Sequence, residues 1–479
     1  MNKGNEAQVP IESEFNNLNI LDKDSNSMNI DHKNCPYCNK SFTKELWSIW
    51  CKECDPFMNI EGWSSGNNEI DKLIKDTIYG ARNENRNFLE WVPFDKFKDI
   101  NQIGEGGFSK VYSATWIDGP KIIYNKGWKT RKSESIKVAL KRLNGSENMS
   151  AEYLNEIKIL GDLCQINDGC LSFYGMTKDP ETEELIIISE YADKGNLRSV
   201  LLHNFNNTLW KDKLLYLHWI IHGLKTLHEL GYFHKDFHSG NILQIAKPDD
   251  DFNSSYISDF GLSGPSNKQE SDDKICGVLP YIAPEVLNGE PYSLSSDIYS
   301  FGIIMAELSS GKPPFHKRKH DTTLALEICN GLRPEFGKGT PEIYKKLAYK
   351  CMNANSNQRL TAEELLDIIR FWTESSTYNM RQEEKIFGYN GKEIKAMFEE
   401  ANKEIPNIST LYEKNPDAIY SSRLFTFSNL TKPVNSSIIT DYLNDEENNK
   451  DCQDSQLVDL EVSSSFLQSK DVISNENNC

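Results

Sequence analysis

Apolar positions along this chain change their period from segment to segment, and the periods predict its elements. From Gly66 to Arg86, Ile70, Leu73, Ile74, Ile78 and Ala81 recur at helical spacing, which predicts a short helix, with Trp91 and Phe94 placed after it to dock it. Val138-Ala139-Leu140 is a β-type run, whereas Leu154, Ile157 and Leu160 return to helical spacing across Ala151–Leu160. Leu185-Ile186-Ile187-Ile188 is unbroken apolar sequence, and a further β-like run precedes Ser258. After Trp372 the polar stretch Thr373-Glu374-Ser375-Ser376-Thr377 reads as a boundary, followed by a charged helical candidate from Met380 to Glu404. Residues 1–30 and the region beyond Pro406 are rich in Asn, Ser and acids, and positions 441–479 hold ten acids against Lys450 and Lys470; both ends read as largely disordered. Within that tail, Ile419-Tyr420-Ser421-Ser422-Arg423-Leu424-Phe425-Thr426-Phe427 is too apolar for inert linker. It is either a docking peptide for a protein partner or a strand-like segment packed on the folded part.

Composition narrows the class of partner. The 479 residues carry net charge −18, the wrong sign for a phosphate backbone, so nucleic acid is disfavoured. No run approaches the roughly twenty apolar residues of a membrane span. The start, Met1-Asn2-Lys3-Gly4-Asn5, has no apolar signal core, so a soluble cytoplasmic protein in a reducing compartment is expected, with nuclear entry undecided. Cys35-Pro36-Tyr37-Cys38 and Cys51-Lys52-Glu53-Cys54, twelve residues apart, can present four thiolates to one tetrahedral ion. Structural zinc in a ribbon-like module over 31–57 is the expectation, and disulfides are the competing use of these cysteines. Phe42, Trp47, Ile49 and Trp50 then close a small core over the metal or meet a protein partner.

Three features point to phosphate chemistry. Ile103-Gly104-Glu105-Gly106-Gly107-Phe108-Ser109-Lys110-Val111 is a glycine-rich turn between apolar stretches, where missing side chains let backbone N–H groups approach phosphate oxygens. Taken alone, such a turn is ordinary punctuation between strands. Lys141 ends the Val138 run, where its amine can reach the α- and β-phosphates of a nucleotide under that turn, and Glu156 beside the helical stripe offers the anionic partner. Further on come His234-Lys235-Asp236-Phe237-His238-Ser239-Gly240-Asn241 and Ser258-Asp259-Phe260-Gly261.

These stretches resemble the catalytic loop and metal-binding triplet of eukaryotic protein kinases, and the resemblance runs from about Phe97 to Trp372. It implies an α+β fold of two lobes, the smaller rich in β structure and the larger helical, with ATP and magnesium as cofactors and proteins as substrates. It also implies roles: Asp236 accepts or orients the proton of the attacking hydroxyl, and Asn241 and Asp259 hold magnesium. Backbone groups of Glu190 and Ala192, in the hinge between the lobes, recognise adenine. Glu285 of Ala283-Pro284-Glu285 pairs with Arg359, and Asp297 holds the catalytic-loop backbone. Leu279–Leu287 and Tyr299–Met305 are most similar to the tyrosine-kinase-like branch, in particular to its expanded fungal sets, a branch that usually modifies serine and threonine.

Four departures from that pattern stand out, and the last two bear on substrate class. Ser109 stands where a third glycine is usual, Lys235 replaces an arginine, His238 replaces a lysine and Val278 a threonine. The arginine-and-alanine loop patterns of tyrosine kinases are absent too. A serine/threonine kinase is therefore expected, with a dual-specificity or tyrosine kinase, or a catalytically silent scaffold, as the alternatives. Around a kinase domain at 97–372 the organisation reads as a helical linker over 58–96 and a tail over 373–479. In the segment from Asp259 to Glu285, Ser263, Ser266 and Ser271 are candidate phosphoacceptors, with Asp272 and Asp273 as fixed partners for Lys235.

Overall fold

The computed structural model describes residues 62–84, 88–106, 109–120, 134–146, 151–166, 171–246, 253–265, 275–386, 388–427 and 430–444. Residues 1–30, the zinc-module cysteines Cys35, Cys38, Cys51 and Cys54, the loop residues Gly107 and Phe108, and Ser266, Ser271, Asp272 and Asp273 lie outside these, as do residues 445–479.

The small lobe comprises α1 (Asn68–Glu84), β1 (Glu90–Trp91), β2 (Phe97–Glu105), β3 (Ser109–Trp116), β4 (Ile136–Leu143), α2 (Ala151–Ile166), β5 (Phe173–Lys178) and β6 (Leu185–Glu190). Its strands form one sheet in the order β1-β5-β6-β4-β3-β2. The unbroken apolar run of β6 has a simple cause, because both faces of the sheet are covered. Leu185 and Ile187 face α1 and α2, with Ile70, Ile74 and Ile157, whereas Ile186 and Ile188 face the opposite cluster of Val92, Phe97, Trp116 and Val138. Helix α1 lies against α2, where Gly161 permits the approach: a Cβ there would stand 3.1 Å from the Leu73 side chain. Trp91 stacks on Trp63 at 6.1 Å beside this cluster, while Phe94 packs with the other one.

The large lobe begins with α3 (Leu197–Asn204), capped by the Asn196 side chain accepting from the Ser199 N–H, and α4 (Trp210–Glu229). Short strands β7 (Tyr232–Phe233), β8 (Ile242–Ala246), β9 (Asn253–Ile257), β10 (Gly264–Pro265) and β11 (Ile275–Gly277) carry the catalytic-loop region and the segment after it. Helices α5 (Pro284–Leu287), α6 (Leu294–Ser310), α7 (Thr322–Cys329), α8 (Glu342–Cys351) and α9 (Ala362–Ser376) complete it. α6 is buried from Ser296 to Ser309 and forms the centre of the lobe.

Composition misleads here about local order. The polar run after Trp372 does not end the helix, since α9 continues to Ser376 with Thr373 and Ser375 buried; the Thr373 hydroxyl donates to the Ile369 carbonyl at 2.8 Å. Of the tail, residues 406–427 and 430–444 are ordered on the large lobe. After the hairpin β12 (Lys385–Ile386) and β13 (Tyr389–Asn390) come α10 (Gly391–Asn402), β14 (Arg423–Phe425) and α11 (Ser437–Asn444). A few apolar anchors within the tail, Ile408, Ala418 and Ile439, are buried, and they outweigh the polar average of the segment.

The ion pair that closes the lower lobe is buried on its arginine side and only slightly exposed on its glutamate side. Arg359 donates to both Glu285 oxygens, at 2.7 and 2.6 Å, with none of its side chain exposed, and also to the Asn353 and Ser295 carbonyls at 2.8 Å. Glu285→Ala strands that guanidinium, so a loss of about 3–5 kcal/mol is expected in urea unfolding, with Glu285→Leu/Arg359→Met recovering most of it. A loss below about 1 kcal/mol in the single variant would contradict the assignment.

Candidate active site

The glycine-rich turn is the β2–β3 hairpin, in register Gly104↔Val111 and Glu105↔Lys110, with the Gly106 N–H donating to the Ser109 carbonyl at 2.8 Å. Beneath it β4 carries Lys141, whose Nζ bridges two carboxylates, Glu156 Oε1 of α2 at 2.5 Å and Asp259 Oδ1 at 2.8 Å. Burial opposes the Lys141 charge, but Asp259 and Glu156 together raise its pKa well above the ordinary value. Of the two carboxylates, Asp259 is held low by Lys141, while burial pushes Glu156 up. Asp259 adopts φ 65°, a left-handed backbone that a non-glycine residue keeps only where its surroundings hold it.

Asp297 of α6 fixes the loop that carries Asp236. Its carboxylate accepts from the His234 N–H at 2.8 Å and the Lys235 N–H at 3.2 Å, with His228 at 3.1 Å. Asp236 is buried, 6% exposed. Burial pushes its pKa up, but the His238 ring and the Ser422 hydroxyl outweigh it and hold the carboxylate at about 2. The Gly240 N–H donates to His238 Nδ1 at 3.0 Å, which leaves the ring proton on Nε2, 3.6 Å from Asp236 Oδ1. Glycine is needed at 240, because a Cβ would stand 2.7 Å from the imidazole Cε1. The Asn241 amide nitrogen donates to the Asp236 carbonyl (3.0 Å) and Oδ2 (3.3 Å). Its own oxygen and the Asp259 carboxylate are thus the hard donors of the site, the donor type magnesium takes.

One cleft of about 2010 Å³ joins all of this. It is lined by Ile103, Gly104, Lys141, Glu190, Ala192 and Asp236 among others, and continues past β11 to the tail residues Tyr420 and Ser422. The Glu190 N–H donates to the Ser172 carbonyl at 2.9 Å, and Lys110 lies on β3 between Glu105 of β2 and Arg142 of β4.

Sequence reading missed a network beneath the catalytic loop. Ser239 donates to Glu307 at 2.9 Å, Tyr281 donates to the same carboxylate at 2.6 Å, and Arg198 reaches Ser239 at 3.2 Å and Tyr281 at 3.3 Å. Its members come from four separate segments, and nothing in their spacing marks them. Ser422 lies in the 419–427 segment, which packs on the large lobe as the strand-like alternative expected; what no local signal marked is that its hydroxyl donates to Asp236 Oδ2 across 186 positions of sequence.

A family model described as protein kinase domain matches residues 97–369. The chain is similar to a probable serine/threonine-protein kinase of Arabidopsis thaliana, 31% identical over 290 residues, 59% of this chain and 66% of that protein. A probable serine/threonine-protein kinase of Dictyostelium discoideum is 26% identical over 314 residues, 61% of this chain and 16% of its own. The cytokinesis protein sepH of Aspergillus terreus is 29% identical over 264 residues, 55% of this chain and 18% of its own. The chain spans less than two thirds of the length of each.

Proposed function

Because the chain belongs to the protein kinase family, we propose that its cleft transfers the γ-phosphoryl group of ATP to serine or threonine hydroxyls of proteins. The observation that carries this reading is an aliphatic hydroxyl, that of Ser422, already donating to the ionised Asp236 carboxylate. A general base must stand within hydrogen-bond reach of the proton it takes, and Asp236 does so for a short side chain. The same observation favours serine or threonine over tyrosine, whose hydroxyl lies at the end of a ring.

Each residue then has one task. The β2–β3 hairpin covers the phosphates, Lys141 draws on them while Glu156 holds it in place, and backbone at Glu190 and Ala192 meets the adenine. Asn241 and Asp259 hold magnesium, which when bound neutralises charge building on the phosphates. Asp236 orients the hydroxyl and takes its proton. His238 offers its Nε2–H toward Asp236, from the position where related enzymes place a lysine.

Membership of the tyrosine-kinase-like branch rests on Leu279–Leu287 and Tyr299–Met305. Structural zinc rests on the spacing of Cys35, Cys38, Cys51 and Cys54; among the described residues no group of three or more His, Cys, Asp or Glu side chains is gathered to hold a metal. Among the described residues no helix is long and apolar enough to cross a membrane. A cytoplasmic location remains part of the proposal.

Labelled ATP with magnesium and generic protein substrates tests the reading, with the modified residue identified by mass spectrometry. Label on serine and threonine is expected. Label confined to tyrosine overturns the specificity, and ATP binding without any transfer leaves a scaffold.

A further inference from the structure

The tail crosses the cleft as a substrate strand would. β14 pairs antiparallel with β11, Arg423 opposite Gly277, Leu424 opposite Cys276 and Phe425 opposite Ile275. An extended segment that adds a strand to an exposed edge in this way draws its affinity from main-chain hydrogen bonds. The strand is tied on both sides. Before it, the Tyr420 carbonyl accepts from Arg198 at 3.2 Å, the tyrosine hydroxyl donates to the Pro314 carbonyl at 2.8 Å, and the Ile419 carbonyl meets His320 Nδ1 at 2.8 Å. After it, the Val434 N–H donates to the Cys329 carbonyl at 2.9 Å, and Asn435 meets the Ala354 N–H at 2.8 Å. Between these ties Ser422 is turned inward onto Asp236, while its neighbour Ser421 is exposed and Leu424 is 61% exposed.

We propose that Ser422 is a phosphoacceptor modified in cis by the chain's own cleft, and that the β14 strand withholds the cleft from other substrates until that phosphate is in place. The proposal rests on the phosphotransfer reading above and adds the site, the order of events and a regulatory consequence. In the step, the Ser422 Oγ forms a bond to the γ-phosphorus of magnesium-ATP. The bond from that phosphorus to the oxygen bridging the β-phosphate breaks, and ADP carries the electron pair away. The hydroxyl proton passes to Asp236 and then to solvent. The product places a phosphate of nearly two negative charges against an ionised, buried carboxylate. Arg198, the cation that holds Tyr420, is already engaged by Ser239 and Tyr281. Like-charge repulsion therefore expels the strand, and the groove along β11 opens to other chains.

The test uses the full chain, treated with phosphatase and then given magnesium-ATP beside an added generic protein substrate. About one phosphate per chain is expected on Ser422, at a first-order rate unchanged over a roughly hundredfold dilution, because the acceptor is tethered to the cleft. Ser422→Ala keeps the strand but loses the release. If the strand is seated about nine-tenths of the time, this variant labels the added protein ~10-fold more slowly than wild type first incubated with ATP. Label on the added protein with none on Ser422, label on Ser421 instead, a Ser422 rate that scales with concentration, or an unchanged rate in Ser422→Ala each overturns the inference while the kinase reading stands. Absence of label on both Ser422 and the added protein removes both.

Discussion

Asp236→Asn lowers phosphoryl transfer by ~10²–10⁴-fold, the usual contribution of a positioned general base, with nucleotide affinity and melting temperature little changed. The change is isosteric, and the Asn241 amide still donates to the residue-236 main-chain carbonyl, so the loop keeps its shape. What disappears is a carboxylate that can accept a proton. Its pKa of about 2 means that Asp236 stays ionised throughout the neutral range. Activity in wild type should therefore show no fall traceable to this group across the neutral range. Turnover measured at saturating ATP, beside ATP affinity measured separately, checks both parts. A variant that retains more than about a tenth of wild-type turnover would place the proton acceptor elsewhere.

The second large effect concerns stability. Lys213 of α4 is fully buried, and no hydrogen-bond partner meets its Nζ. The ammonium instead lies over the rings of Phe205, 4.0 Å to the centroid, and Trp210, at 4.8 Å. Burial drives its pKa down from 10.5 to about 7. Below about pH 7 both folded and unfolded chains carry the proton, and the folded state bears the whole desolvation penalty. Between about 7 and 10.5 the unfolded chain still holds a proton that the folded one has released, so this group's contribution to stability rises with pH. A shift of this size corresponds to roughly 4–5 kcal/mol, offset in part by the cation–π contacts. Lys213→Met keeps the volume and removes the charge. It should melt higher than wild type at pH 6–7, by an amount that shrinks toward zero as the pH approaches 10. Equal melting temperatures across that range would mean that the ammonium finds a partner or water in solution.

The chemistry of the cleft was legible because each of its parts sits in a local stretch with a distinct reason for its residues. Gly104 and Gly106 lie where β2 runs into the hairpin over the cleft, Lys141 ends a strand-type run, and Glu156 rides beside the apolar stripe of a helix. Asp236, Asn241 and Asp259 occur in short loops whose spacing is itself the signal. The tail was misread because composition averages over a window, whereas docking depends on a few anchors. Ala418 and Ile439 are buried within a segment dominated by Asn, Ser and acids. The polar run after Trp372 misled for a related reason: Thr373 and Ser375 are buried on α9, and the Thr373 hydroxyl returns its hydrogen bond to its own helix.

The sequence alone pointed to the two-lobed kinase fold through its resemblance to protein kinases, and it marked the groups proposed to bear on phosphate, since short motifs and their spacing are properties of neighbouring residues. Tertiary structure alone decided how distant segments meet. It set the Lys141 ammonium between two carboxylates, assembled Arg198, Ser239, Tyr281 and Glu307 from four parts of the chain, and laid Ser422 against Asp236. Contacts at such separations depend on where folded surfaces present complementary hydrogen-bonding edges, and no local pattern records that.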